Sequence, residues 1–148
     1  VIAAQHALQS HATSNVSSVT QRAAIEALRG PQTAVREMLD EYRRRRDRLH
    51  GWLSADPRIR CARPAGAFYL FPDVSEVVAE AGLPDTAAFA EALLDEARVA
   101  VTPGEAFDAP GFIRLSYATS MDTLREGSAR LLEFVARRTG RAPSGVAR

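Results

Sequence analysis

The sequence predicts an α+β chain in which three leading helices precede a small sheet-and-helix layer of order β-β-α-β-β-α. Three observations carry this prediction. Apolar residues recur at helical spacing as far as Leu53, short extended runs bounded by prolines follow Asp56-Pro57, and two later helical stripes begin after Asp85 and Ser120. A length of 148 residues suits one domain with a real core, which buries roughly 70% of its unfolded surface. Hydrophobic residues at 46% and charged residues at 25% are ordinary globular values, so a fibrous or disordered bulk is excluded.

Val1 to Leu8 has helical composition and runs into Ser10-His11-Ala12-Thr13-Ser14-Asn15, a polar cluster that reads as a loop. Val19, Ala23, Ala24, Ala27 and Leu28 mark a second helix, stopped by Gly30-Pro31. Val35, Met38, Leu39, Tyr42, Leu49, Trp52 and Leu53 form one stripe along a long amphipathic third helix. Ile59 to Cys61 and Pro64 to Pro72 read as two adjacent strands. The second is apolar on both faces, so it is expected to be central and buried. Asp85 caps a helix carrying Phe89, Leu93, Leu94 and Ala97; Val99 to Val101 is a strand closed by Thr102-Pro103-Gly104 in a type II turn. Phe112 to Ala118 is a fourth strand, Ser120 caps the last helix, and residues 139–148 read as a disordered tail. A domain boundary is expected near Gly30, with the third helix bridging two bodies.

Nineteen basic against eighteen acidic residues leave a net charge of +1, so no single-sign field draws in nucleic acid or an anionic membrane. All nineteen basic residues are arginine, and no lysine occurs from Val1 to Arg148. One cysteine, Cys61, cannot form an internal disulfide and fits a reducing, cytoplasmic setting. No apolar run reaches the roughly 18 residues of a membrane span. The chain opens at Val1 directly into a helical pattern, which leads us to expect a missing N-terminal portion.

Arg114 is the most informative single position. Alternation along its strand puts Ile113, Leu115 and Tyr117 on one face and Arg114 with Ser116 on the other. A guanidinium offers a planar fork that matches a carboxylate through two bonds, and no acidic residue lies on its own strand to neutralise it. Alternation alone favours an arginine on the solvated face of an outer strand over a carboxylate anchor, and both readings stay open at this point. The run Arg43-Arg44-Arg45-Arg46 invites a nucleic-acid reading, but Asp40, Glu41 and Asp47 stand at helical pairing distance, which favours a solvated helix face. His6, His11 and His50 show no ligand spacing with one another or with Cys61, so no metal site is assigned. Cys61 reads as a small buried thiol, Tyr69, Tyr117 and Trp52 as core or interface residues, and Gly66 and Gly104 as backbone devices.

Four stretches in order carry a resemblance: Ser10 to Asn15 with Ser17 and Gln21, Pro64-Ala65-Gly66-Ala67-Phe68-Tyr69, Val101-Thr102-Pro103-Gly104-Glu105-Ala106-Phe107, and Ile113-Arg114-Leu115-Ser116-Tyr117-Ala118. Together they resemble the C-terminal part of a class I aminotransferase of the aspartate aminotransferase type, whose fold is the α/β fold-type-I transferase. The resemblance implies that residues 1–30 end a large cofactor domain and that residues 31–138 form a small C-terminal domain. It implies pyridoxal 5'-phosphate as cofactor, an amino acid and a 2-oxo acid as substrates, and a homodimer. By the same resemblance Arg114 grips the substrate α-carboxylate, Phe68 lines the cleft, and the loop holding Ser14 and Asn15 lies near the dimer interface, close to the partner's active site. The family links its cofactor covalently to a lysine. This chain has none, so we expect it to be catalytically silent alone, with no catalytic or cofactor-binding residue of its own. Two rivals remain: a ligand-sensing aminotransferase-like body of a transcription regulator, and an α+β interaction domain on which Arg114 is surface decoration.

Overall fold

Side-chain caps set two of the helix starts in the computed structural model, which describes residues 1–140. Asp85 Oδ1 accepts the Ala88 N–H at 2.8 Å and opens the helix Thr86–Ala97; Ser120 Oγ accepts the Thr123 N–H at 3.1 Å and opens Met121–Thr139. In chain order the elements are α1 Ile2–Ala12, α2 Ser18–Arg29, α3 Thr33–Leu53, β1 Tyr69–Leu70, α4 Ser75–Glu80, α5 Thr86–Ala97, β2 Thr102–Pro103, a 3-10 turn Gly104–Phe107, β3 Ile113–Ser116 and α6 Met121–Thr139. The chain divides into two compact units, 1–37 and 38 onward, and the divide falls inside α3. The first holds α1, α2 and the start of α3, and α1 and α2 bury no residue.

The second unit is an α+β layer. Its sheet has the order β1-β3-β2 with both pairings antiparallel, so β3 is the central strand. Ile113, Leu115 and Tyr117 enter the core, where they join Leu70, Leu49, Leu53 and the inward faces of α4, α5 and α6. Phe89 of α5 meets Phe134 of α6 edge-on, with ring centroids 5.5 Å apart.

Several elements depart from the sequence expectation, each for a local reason. The Pro64 to Pro72 run forms only the short β1 at the sheet edge; Phe68 and Tyr69 are exposed while Leu70 and Pro72 are buried. The expected strand Ile59 to Cys61 is a single bridge, Arg60 with Asp73. It cannot lengthen, because α4 starts at Ser75 on one side and Pro64 and Pro72, which lack an N–H, stand on the other. Helix α4 was not expected at all. It follows a tight turn in which Asp73 Oδ1 accepts from Ser75 N at 2.9 Å and Ser75 Oγ at 2.6 Å. Strand β2 starts at Thr102 instead of Val99, because the left-handed Arg98 ends α5 and the Val99 N–H turns back to Leu93 O. The type II turn is absent, since Gly104 has no positive φ. Glycine is needed there for space: a Cβ would lie 2.0 Å from Ala109 O and 2.7 Å from Phe112 O. Helix α1 absorbs Ser10 to Ala12, and α6 continues through Thr139 to a left-handed Gly140, while residues 141–148 of the expected tail lie outside the described residues.

A buried ionic knot ties the periphery of this unit together. Arg58 and Asp56, each 4% exposed, pair through Nε–Oδ1 at 2.9 Å and Nη2–Oδ2 at 2.6 Å. Arg58 Nη1 also donates to Glu80 Oε2 of α4 at 2.7 Å and to Thr139 Oγ1 of α6 at 2.8 Å. Hydrogen bonds donated to Asp56 first, and then to Glu80, hold the guanidinium pKa above its ordinary value against the opposing effect of burial. Arg58→Ala removes the guanidinium that Asp56, Glu80 and Thr139 share and is expected to cost about 3 to 5 kcal/mol. Replacing the pair together, Arg58→Met with Asp56→Leu, is expected to cost clearly less. Urea unfolding midpoints of the three proteins check this.

Candidate functional site

The pairing of β2 with β3 puts Thr102 directly opposite Arg114, and the pairing of β1 with β3 puts Tyr69 opposite Ser116. Because the pleat sends Ile113 and Leu115 inward, Arg114 is directed to the other face of the sheet, where it is half-buried. Its Nη2 donates to Thr102 Oγ1 at 3.3 Å. Its guanidinium carbon lies over two aromatic rings, 4.9 Å from the centroid of Phe107 and 5.6 Å from that of Tyr69. Among the described residues no carboxylate pairs with it. Glu105, on the same 3-10 turn as Phe107, is engaged elsewhere: it accepts the Thr86 hydroxyl at 2.6 Å and the Thr86 N–H at 3.2 Å, at the start of α5. The Thr86 hydroxyl, followed by backbone N–H groups, holds the Glu105 carboxyl below its ordinary range.

Phe68 reaches the same neighbourhood through Tyr69. Its ring is 54% exposed and stands edge-on to the Tyr69 ring at 6.1 Å. The turn before it is held by Tyr117, whose hydroxyl donates to Ala67 O at 2.8 Å and whose N–H donates to Phe68 O at 2.8 Å. Ala67 has φ +63°, a strained value for a residue with a Cβ, and these two bonds fix it. Burial pushes the Tyr117 phenol above its ordinary pKa. The outer face of the sheet thus gathers one guanidinium without an acid partner, a threonine hydroxyl, and exposed aromatic rings. That arrangement suits an anionic, planar group approaching the N–H edges of Arg114.

The other residues singled out in the sequence lie elsewhere. Ser14 and Asn15 belong to the N-terminal unit, in the exposed loop between α1 and α2, where Ser14 has φ +55°. The four-arginine run is solvated only in part: Arg43 and Arg44 are exposed and pair with Asp40 and Glu41, whereas Arg45 and Arg46 are partly buried, Arg45 pairing with Glu41 and Arg46 with Asp47 while its Nη1 donates to Pro64 O at 3.1 Å. Hydrogen bonds from Arg44 and then Arg45 lower the Glu41 pKa to about 2. Cys61 is partly buried and desolvation raises its thiol pKa, which leaves it a poor nucleophile. Among the described residues no group of three metal-ligating side chains forms, and no helix is long and apolar enough to cross a membrane. Thr102 and Phe107 were not read from the sequence as partners of Arg114. The available signal was their place in Val101 to Phe107, and reading it required the hairpin register and the 3-10 turn that carries Phe107 back over β3.

The family model for aminotransferase class I and II matches residues 1–131. The chain belongs to this family. It is 47% identical to an aspartate aminotransferase of Bacillus sp. strain YM-2 over 135 residues, covering 91% of this chain and 34% of that protein. It is 42% identical to the aspartate aminotransferase of Bacillus subtilis over the same shares. Among solved structures, the aspartate aminotransferase from Rhizobium meliloti aligns with a TM-score of 0.79 at 37% identity, covering 88% of this chain and 34% of that one. The Thermus thermophilus aspartate aminotransferase solved with maleate aligns with a TM-score of 0.71 at 40% identity, covering 86% and 32%. The α+β unit described above is therefore that of the fold-type-I aminotransferases, and the chain spans about a third of the length of the relatives it matches.

Class I and II aminotransferases depend on pyridoxal phosphate. The residues of this chain do not fit the covalent hold on that cofactor, because none of its 148 residues is a lysine. What this aminotransferase segment presents is a cation on an aromatic bed.

The Glu105–Thr86 contact fixes the 3-10 turn that carries Phe107, and its lowered carboxyl pKa gives it a pH dependence. A depressed folded-state pKa contributes stability that is present above the unfolded value and lost as pH falls through the folded one. Acidification from neutral to about pH 3 is therefore expected to destabilise the wild-type chain more than Glu105→Gln, as measured by urea midpoints at the two pH values.

Proposed function

We propose that this chain is the C-terminal segment of a pyridoxal-phosphate-dependent aminotransferase that moves an amino group between an amino acid, with aspartate favoured, and a 2-oxo acid. The observation that carries the proposal is Arg114, a half-buried guanidinium on the outer face of β3 with no acid paired to it among the described residues. A buried or half-buried arginine usually meets a carboxylate of its own protein, and one that does not is available to a carboxylate from outside. The relatives named as aspartate aminotransferases support aspartate, and the solved Thermus thermophilus structure with maleate, a dicarboxylate, is consistent with an acid-binding site in a similar protein.

In this reading Arg114 binds the substrate α-carboxylate through two parallel N–H···O bonds and so orients the Cα substituents. Phe68, exposed beside Tyr69, lines the cleft and displaces water from the bound substrate. Pyridoxal phosphate, when bound, supplies the electron sink for the reaction, and the lysine that holds it comes from outside these residues. Residues 1–30 end the large cofactor domain, residues 31–138 form the small domain, and the loop with Ser14 and Asn15 lies near the interface of a homodimer. The single cysteine supports a cytoplasmic setting.

In the full-length protein, Arg114→Lys keeps the charge but loses the fork. It is expected to lower kcat/KM for L-aspartate by roughly thirtyfold to several-thousandfold, the equivalent of losing about 2 to 5 kcal/mol of a charge-paired contact. Unchanged kcat/KM would remove the anchor. A second measurement concerns this chain alone: incubation with pyridoxal phosphate and borohydride is expected to leave its side chains without stoichiometric, site-specific label. Such a label on a side chain would contradict the assignment of the covalent hold to residues outside it.

A further inference from the structure

The neighbours of Arg114 divide its surface in a way that bears on binding. A guanidinium is a plate: its two faces meet π-systems, while its rim carries five N–H donors. Phe107 and Tyr69 lie at cation–π distance, with centroids 4.9 Å and 5.6 Å from the guanidinium carbon, and neither ring consumes a donor. The Thr102 hydroxyl takes one donor at Nη2, at 3.3 Å. The rest of the rim has no protein partner among the described residues. Rings hold a cation without neutralising it, whereas an aspartate or glutamate in their place would occupy the rim that an incoming carboxylate needs.

Phe107 is itself held. Its ring is edge-on to Phe71 at 5.8 Å, Phe71 stacks on Phe112 at 5.3 Å and 16°, and the turn bearing Phe107 is tied to α5 by Glu105 and Thr86. The support runs from that turn, through an aromatic stack, to the face of one cation. We propose that Phe107 and Thr102 are positioning residues for the substrate carboxylate: Phe107 sets the plane of the Arg114 guanidinium and Thr102 sets its rotation within that plane. This rests on the assignment of Arg114 as the carboxylate anchor and adds which residues aim it.

The test uses the full-length, cofactor-loaded protein with L-aspartate as substrate and maleate as inhibitor, in the variants Phe107→Leu, Phe107→Tyr, Thr102→Val, Thr102→Ser and Arg114→Lys. Aim at a carboxylate held alike in ground and transition states appears in KM, so the split between KM and kcat separates positioning from general damage. Phe107→Leu is expected to raise the KM for L-aspartate and the inhibition constant of maleate by roughly three- to tenfold, with a much smaller change in kcat. Phe107→Tyr restores both values. Thr102→Val is expected to raise them roughly two- to fivefold, and Thr102→Ser restores them. The inference is overturned if Phe107→Leu and Thr102→Val leave KM and maleate inhibition unchanged while Arg114→Lys impairs both; the anchor then stands without these positioners. It is also overturned if the variants lower kcat and the melting temperature with KM unmoved, which marks a structural role only. Arg114→Lys with unaltered KM and maleate inhibition would overturn the anchor and this inference together.

Discussion

Once Ile113, Leu115 and Tyr117 are committed to the core, the period-two pleat of β3 leaves Arg114 and Ser116 only the opposite face. This constraint links fold and site, because a slip of one residue would bury the guanidinium and expose three core side chains. Register is pinned from both edges, Tyr69 with Ser116 on one side and Thr102 with Arg114 on the other. The strands on those edges are two residues each, too short to hold register by ladder bonds alone. Side chains and turns do the rest. Tyr117 clasps the Ala67 turn ahead of β1, and the close backbone packing at Gly104 fixes the exit from β2.

The short sheet also depends on its surroundings. Arg60 and Asp73 exchange backbone bonds just outside it, Asp73 turns the chain into α4, and Gly111 O accepts from Val74 N at 2.8 Å. Arg58 then joins the segment after α3 to α4 and to the end of α6. A buried ion pair contributes little net stability compared with apolar packing of the same volume, but it tolerates few alternative arrangements once desolvated. Its effect here is to hold the ends of two helices and one loop together on the core that β3 faces.

The parts legible in the sequence were those governed by local rules. Asp85 and Ser120 announced their helices because an N-cap bonds within its own first turn. The alternation around Arg114 was legible because strand period is a local property. The parts that escaped were decided by residues distant in sequence. Pro64 to Pro72 looked like a central strand because it is apolar on both sides, yet the sheet runs β1-β3-β2 and leaves it at an edge. Helix α4 is six residues long, too short for a periodic stripe, and starts from a side-chain turn at Asp73. Thr102 and Phe107 became neighbours of Arg114 only through a strand register and a 3-10 turn that no spacing rule encodes. Alternation alone left Arg114 open between a solvated face and an anchor, and the resemblance favoured the anchor; the aromatic bed and the lack of an acid partner among the described residues were legible only in the fold.

Arg58 and Arg114 show how one residue type serves two ends in a chain whose basic residues are all arginine. Arg58 is 4% exposed, and at that depth an unpaired charge would be prohibitive, so carboxylates from two segments and a threonine hydroxyl surround it. Arg114 is only half-buried, so water can still reach its rim and the cost of carrying no counter-ion is tolerable. Depth, more than residue identity, therefore separates the two roles. A guanidinium buried as deeply as Arg58 must be completed by its own protein. One held at the surface on aromatic faces keeps its charge and its geometry while leaving the bonding rim open, which is what the proposed carboxylate anchor requires.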